Sequence, residues 1–161
     1  MYDESDDREG GAGEPTTRRV ERIRARGHEN VSARHGSTFE VTTDDFLTPA
    51  GDCILAIEAD RAPADFDSTF VDACRDEAAT ISMTIRANGY EATVTGRGDP
   101  ALTFDDDRSA VGRTSEYVDD RTVMVEASMA ANGVDRRLVD ALADGADAEV
   151  RLVVCPPERQ D

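Results

Sequence analysis

Apolar residues fall on alternate positions from Ile23 through Ala25, Gly27, Val31 and Ala33, while Arg22, Arg24, Arg26, His28, Asn30, Ser32 and Arg34 take the opposite parity. That pattern predicts a strand with one charged face. Gly36-Ser37 reads as a two-residue hairpin turn into a second strand over 38–42. A polar connection ending in Leu47-Thr48-Pro49-Ala50-Gly51-Asp52 leads to a third strand over 53–59, with Cys53, Leu55, Ile57 and Ala59 on its buried side. Phe66, Phe70, Val71 and Cys74 then have helical spacing, with Asp65 or Asp67 as N-cap. Ile81, Met83 and Ile85 predict the next strand, Asn88-Gly89 a tight hairpin turn, and Ala92, Val94 and Gly96 the returning strand. The pattern resumes over 101–104 and passes an acidic loop over 105–120. It ends in a strand over 123–127, a second helix and a strand over 150–154.

The second helix repeats the first. Laying residues 53–78 over 121–146, a shift of 68, gives nine identities without a gap, among them Glu58/Glu126, Asp67/Asp135, Val71/Val139 and Asp76/Asp144. Val134, Leu138, Val139 and Leu142 occupy the offsets of Phe66, Phe70, Val71 and Cys74. A repeated unit too small to close its own core implies two like halves packed together. The expected class is α+β, mainly β: internally duplicated βββαβ units forming a pseudo-twofold barrel or sandwich with two short helices. Residues 1–17, acidic and glycine-rich without apolar period, read as a disordered lead. Residues 18–161 read as a single duplicated domain, copy one about 18–87 and copy two about 88–157. The strands before each helix align less firmly, at a shift of 62 or 63.

Charge changes the picture of the setting. The chain of 161 residues carries 35 acidic side chains against 18 basic ones, for a net charge of −17. Every basic residue is arginine. So dense a carboxylate surface suits a cytoplasm of concentrated salt, of halophilic type, where self-repulsion is screened and solubility preserved. Neither an apolar leader nor a run long enough to span a membrane is present, so a cytoplasmic, membrane-free setting is expected. Three widely spaced cysteines, Cys53, Cys74 and Cys155, without a CxxC pair argue against a disulfide framework and a structural zinc site.

Against this acidic background the segment 18–34 holds six arginines and two glutamates, a local charge of +4. Arg24, Arg26, His28, Asn30, Arg34 and Arg61 are the candidate ligand-binding set, suited to phosphate, a nucleotide or RNA. The opposing account is a solvated strand face paired with neighbouring carboxylates. The only histidines, His28 and His35, with Glu40 and Asp52, are the candidates for acid/base catalysis, with or without a metal. Seven positions separate the two imidazoles, which puts them on opposite faces of a regular strand and argues against joint metal ligation. No metal is assigned, and no cofactor is indicated.

Gly27-His28-Glu29-Asn30-Val31, Ala33-Arg34-His35, Thr38-Phe39-Glu40-Val41-Thr42, Gly51-Asp52-Cys53-Ile54 and Ala59-Asp60-Arg61-Ala62 together resemble the archaeal domain-of-unknown-function family 371. The similarity runs from about Ile23 to Val154. It implies a small, β-rich, internally duplicated archaeal protein with no established activity. Position 61 looks like lysine in that family and is arginine here, so a role needing a neutral amine does not transfer. The Gly51-Asp52 turn is also similar to that of cradle-loop barrels.

Three functions remain in play on the sequence: a non-enzymatic protein binding an anionic small molecule, nucleotide or RNA; an enzyme using His28 or His35; and a structural subunit that dimerises.

Overall fold

The computed structural model describes residues 17–157, so the acidic lead over 1–17 lies almost wholly outside the described residues. In order the elements are β1 (Arg19–Arg26), β2 (Thr38–Thr42), β3 (Ile54–Ala56), a 3-10 turn (Pro63–Asp65), α1 (Ser68–Cys74) and β4 (Thr80–Ala87). Then follow β5 (Tyr90–Arg97), β6 (Ser109–Arg113), β7 (Thr122–Met124), a 3-10 turn (Ala131–Gly133), α2 (Arg136–Ala143) and β8 (Asp147–Cys155). The fold is mainly β with two helices, and its strands form two four-stranded sheets, β1-β8-β4-β5 and β3-β2-β6-β7.

Alternation builds the first sheet. Ile81, Met83 and Ile85 on β4 and Val150, Leu152 and Val154 on β8 point inward and are essentially inaccessible, as is Ile23 on β1. Asn88, at φ 53, and Gly89, at φ 84, make the tight turn of the β4–β5 hairpin. The facing sheet supplies Phe39, Val41, Leu55 and Val123. Phe39 stands directly opposite Gly112 across the β2–β6 ladder, its ring in the space a side chain there would need. One end of the core is closed by Phe66, Phe70 and Phe104, whose ring centroids lie 5.6 to 6.1 Å apart, two of the three contacts edge-on. Both helices begin at the predicted aspartates: Asp67 accepts from the Thr69 N–H and Asp135 from the Arg137 N–H.

Several expectations are corrected. The first strand stops at Arg26, because Gly27 packs so tightly on α2 that a Cβ there would lie 1.8 Å from the Leu142 carbonyl oxygen. Gly36-Ser37 is no hairpin turn, since β1 and β2 belong to different sheets. β3 has three residues rather than seven and runs parallel to β2, ending where Glu58 adopts φ 56. Residues 101–104 form no strand, while β6 lies inside the stretch expected as an acidic loop. Its burial on both faces hid it: all five residues are buried, so the strand does not alternate. β1 and β5, of eight residues each, begin 71 positions apart, as do β2 and β6, of five each, where the sequence suggested a shift of 62 or 63.

Nor do the sheets close into a barrel. At each seam one isolated antiparallel bridge joins them, Arg26 with Ile57 and Arg97 with Val125, and no ladder continues from either. In the first, the two residues exchange N–H···O bonds of 2.9 and 2.7 Å.

Gly98 occupies in the second seam the place of Gly27 in the first, with a Cβ there 2.1 Å from the Cys74 carbonyl oxygen. Gly27→Ala and Gly98→Ala should therefore each cost about 1–3 kcal/mol by forcing backbone apart. Gly36→Ala, with its nearest neighbour 3.6 Å away, should cost little. Thermal unfolding of the three variants checks this, and equal midpoints would refute the packing argument.

Candidate functional site

The outward face of the first sheet gathers four arginines, Arg22, Arg24, Arg86 and Arg151. Two rows of side chains cross it. The first runs Arg22, Arg151, Thr84, Thr93 over β1, β8, β4 and β5; the second, one pleat along, runs Arg24, Glu149, Arg86, Glu91. Together Arg22, Arg24, Thr84, Arg86, Glu149 and Arg151 line an open basin of about 200 Å³ floored by the strand backbones. Arg86 turns to Glu91 at 3.0 Å. Among the described residues Arg22, Arg24 and Arg151 form no ion pair, and neither does Glu149, although Arg24 and Arg86 flank it. No aromatic side chain stands in either row.

Other arginines are consumed structurally. Arg26 binds Glu58 at 2.9 Å beside the first seam, which pushes the guanidinium up and the carboxyl down. Arg97 meets Glu126, Asp99 and Glu116 beside the second. Arg61 pairs at 2.6 Å with Glu21, a carboxylate only 6 % exposed, and donates to the Arg22 and Asp65 carbonyls. Glu21 in turn accepts from the Asp67 N–H, so this pair ties β1 to the start of α1. Arg113, buried in the second sheet, donates to Thr122 and Asp119 and lies 4.8 Å from the Tyr117 ring centroid. Burial pushes the Asp119 carboxyl up, but hydrogen bonds from Arg121 and Arg113 outweigh it and bring it down to about 2.

Of the six residues expected to bind an anion, only Arg24 faces the basin. Asn30 donates to the Leu47 carbonyl, and Arg34 stands exposed in the irregular segment after Gly27. Both histidines lie in that same segment and shape its turns. Nδ1 of His28 accepts from the Asn30 N–H, and Nδ1 of His35 accepts from the Ser37 and Thr38 N–H groups. Only Nε2 of each ring is left for other chemistry.

Of the other acid/base candidates, Asp52 meets His35 through its backbone, while Glu40 meets Cys53. The Asp52 carbonyl accepts from the Arg34 and His35 N–H groups, Thr38 Oγ1 lies 3.2 Å from His35 Nδ1, and Cys53 Sγ donates to Glu40 Oε1 at 3.4 Å. Burial, reinforced by Glu40, pushes the Cys53 thiol up to about 11, which disfavours the thiolate a nucleophile requires. Among the described residues no three His, Cys, Asp or Glu side chains are arranged to hold a metal. No helix among them is long and apolar enough to cross a membrane.

Sequence reasoning left Arg22, Thr84, Arg86, Glu149 and Arg151 out of the site. Each lies on the outward parity of its strand, opposite Ile23, Ile85, Val150 or Leu152, and that signal was readable. Their convergence depends on β8 inserting between β1 and β4, which no local pattern specifies.

Two comparisons place the chain. The family described as Domain of unknown function (DUF371) matches residues 23–155. An uncharacterized protein of Methanocaldococcus jannaschii is 36% identical over 132 residues, covering 82% of this chain and 97% of that protein.

The thiol geometry gives a check. At about pH 8, Glu40→Gln should speed alkylation of Cys53 several-fold by removing the carboxylate that suppresses ionisation. Peptide mass mapping after iodoacetamide distinguishes Cys53 from the exposed Cys155, and an unchanged Cys53 rate would refute the coupling.

Proposed function

The chain belongs to the DUF371 family, whose function is unknown, and we propose that it is a non-enzymatic binding protein that holds a small phosphorylated ligand in the basin on the outer face of its first sheet. One observation carries this reading. In a chain with about twice as many carboxylates as guanidiniums, three arginines that have no carboxylate partner among the described residues gather in one concavity. Pairing them would have been easy; Arg26, Arg61, Arg97, Arg108, Arg113, Arg121 and Arg137 all have partners. Guanidiniums held close together against mutual repulsion favour an anion among them, and a phosphate oxygen matches their forked donors. The absence of aromatic side chains on the face speaks against single-stranded RNA, which needs stacking platforms.

The recurrence of βββαβ, with matching seams at Arg26 and Arg97 and matching positive-φ glutamates at 58 and 126, supports an origin by internal duplication. The acidic, lysine-free surface supports a cytoplasmic life in concentrated salt.

Titration calorimetry with inorganic phosphate tests the site. Wild type should bind, Arg151→Gln should weaken binding about tenfold or more, and Arg34→Gln, outside the basin, should leave it unchanged. Equal affinity in Arg151→Gln would overturn the reading, as would a wild type that binds neither phosphate nor any phosphorylated small molecule. The salt reading has its own test: the thermal midpoint should rise between about 0.1 M and 3 M KCl as carboxylate repulsion is screened. A flat or falling midpoint would count against it.

A further inference from the structure

Glu149 is out of place in a site that only holds an anion. It stands between Arg24 and Arg86 in the second row, in register with both, yet its carboxylate forms no ion pair among the described residues. Arg86 is drawn instead to Glu91. A carboxylate at the centre of a phosphate site repels the ligand and weakens the field of the neighbouring guanidiniums. That cost is offset when the ligand brings donors for it, because an ionised carboxylate is acceptor-only and its hydrogen bonds are charge-assisted.

We propose, resting on the binding function above, that Glu149 is the specificity residue of the basin and that the ligand is a pentose 5-phosphate. Its phosphate sits on Arg22 and Arg151 and its vicinal hydroxyls donate to the Glu149 carboxylate. The two rows are one pleat repeat apart, about 7 Å for two residues of extended chain. That separation suits a pentose 5-phosphate, whose anionic end and vicinal hydroxyls lie at opposite sides of one ring. Thr84, beside Arg151 in the first row, offers a hydroxyl to the phosphate end. Arg24 and Arg86 stand on either side of Glu149 without occupying its oxygens. A bare phosphate satisfies only the first row and meets the repulsion of the second.

The same chemistry reaches the basin from a free sugar phosphate or from a nucleoside monophosphate, and both contain the pentose 5-phosphate. Calorimetric titrations of inorganic phosphate, ribose 5-phosphate, 2-deoxyribose 5-phosphate and AMP into wild type and Glu149→Gln separate the cases. Wild type should prefer ribose 5-phosphate to phosphate by about tenfold to a hundredfold, the range of hydrogen bonds to a charged acceptor. The 2-deoxy sugar should fall between them. Glu149→Gln should bind phosphate more tightly than wild type and lose most of the preference for the sugar.

A wild type that binds phosphate and ribose 5-phosphate equally, or a Glu149→Gln protein that keeps the preference, overturns this assignment and leaves the anion site standing. Failure of every ligand to bind wild type removes both. AMP binding at least as tightly as ribose 5-phosphate marks the nucleotide as the source, and AMP binding much more weakly marks the free sugar phosphate; both support the pentose 5-phosphate site.

Discussion

The fold depends on how two open sheets meet at their edges. Neither seam is a ladder; each is one bridge, Arg26 to Ile57 and Arg97 to Val125, with a further backbone bond beside it, from the Asp60 N–H to the Arg24 carbonyl and from the Ser128 N–H to the Thr95 carbonyl. Just beyond each bridge the strand leaves through a glycine pressed on a helix carbonyl, Leu142 behind Gly27 and Cys74 behind Gly98. Contact this close requires residues without a Cβ and fixes both helices against the strand exits. Glu58 and Glu126, in the left-handed region, turn the chain at the same places and carry the carboxylates that meet Arg26 and Arg97. Backbone bridge, glycine contact and ion pair thus converge twice on one arrangement, and the two sheets inherit their separation from it.

That arrangement explains which parts of the fold were legible. The helices were readable because Asp67 and Asp135 cap the same apolar pattern, and the β4–β5 hairpin because Asn88-Gly89 admits few other conformations. Their information is local. The parallel pairing of β2 with β3, the placing of β1 beside β8 and the seams are set by residues far apart in the chain. β6 was invisible because it is buried along its whole length, which erases the alternation that marks a half-buried strand. Of the site, the charge was legible but not its partners. The arginine row of the first strand divides at Gly27, where the chain leaves the sheet, and β4 and β8 complete the basin with Thr84, Arg86, Glu149 and Arg151.

Charge in this molecule is apportioned by role. Where a guanidinium holds structure it is saturated: Arg136 donates to the carbonyls of Ser32, Ala33, Val134 and Ala131, and Arg113 to Thr122 and Asp119. Glu21 shows the same logic in reverse, a nearly inaccessible carboxylate tolerated because Arg61 and the Asp67 N–H occupy it. The proposed basin departs from this pattern, with charged groups of both signs that form no ion pair among the described residues on one face.

The cross-strand pair Arg151 and Thr84 lies at the centre of that face. Counting from the start of β8 and of β4, the two residues hold the same position in their strands, and each faces the other across the ladder. Arg22 on β1 and Thr93 on β5, at the two ends of the row, correspond in the same way. In an assembly of two identical chains such facing positions would always carry the same residue, and any ligand there would meet a symmetric surface. Because one chain supplies both, arginine can stand on one side and threonine on the other. The face is thereby unlike on its two sides, guanidinium against hydroxyl, although the two strands are alike in position.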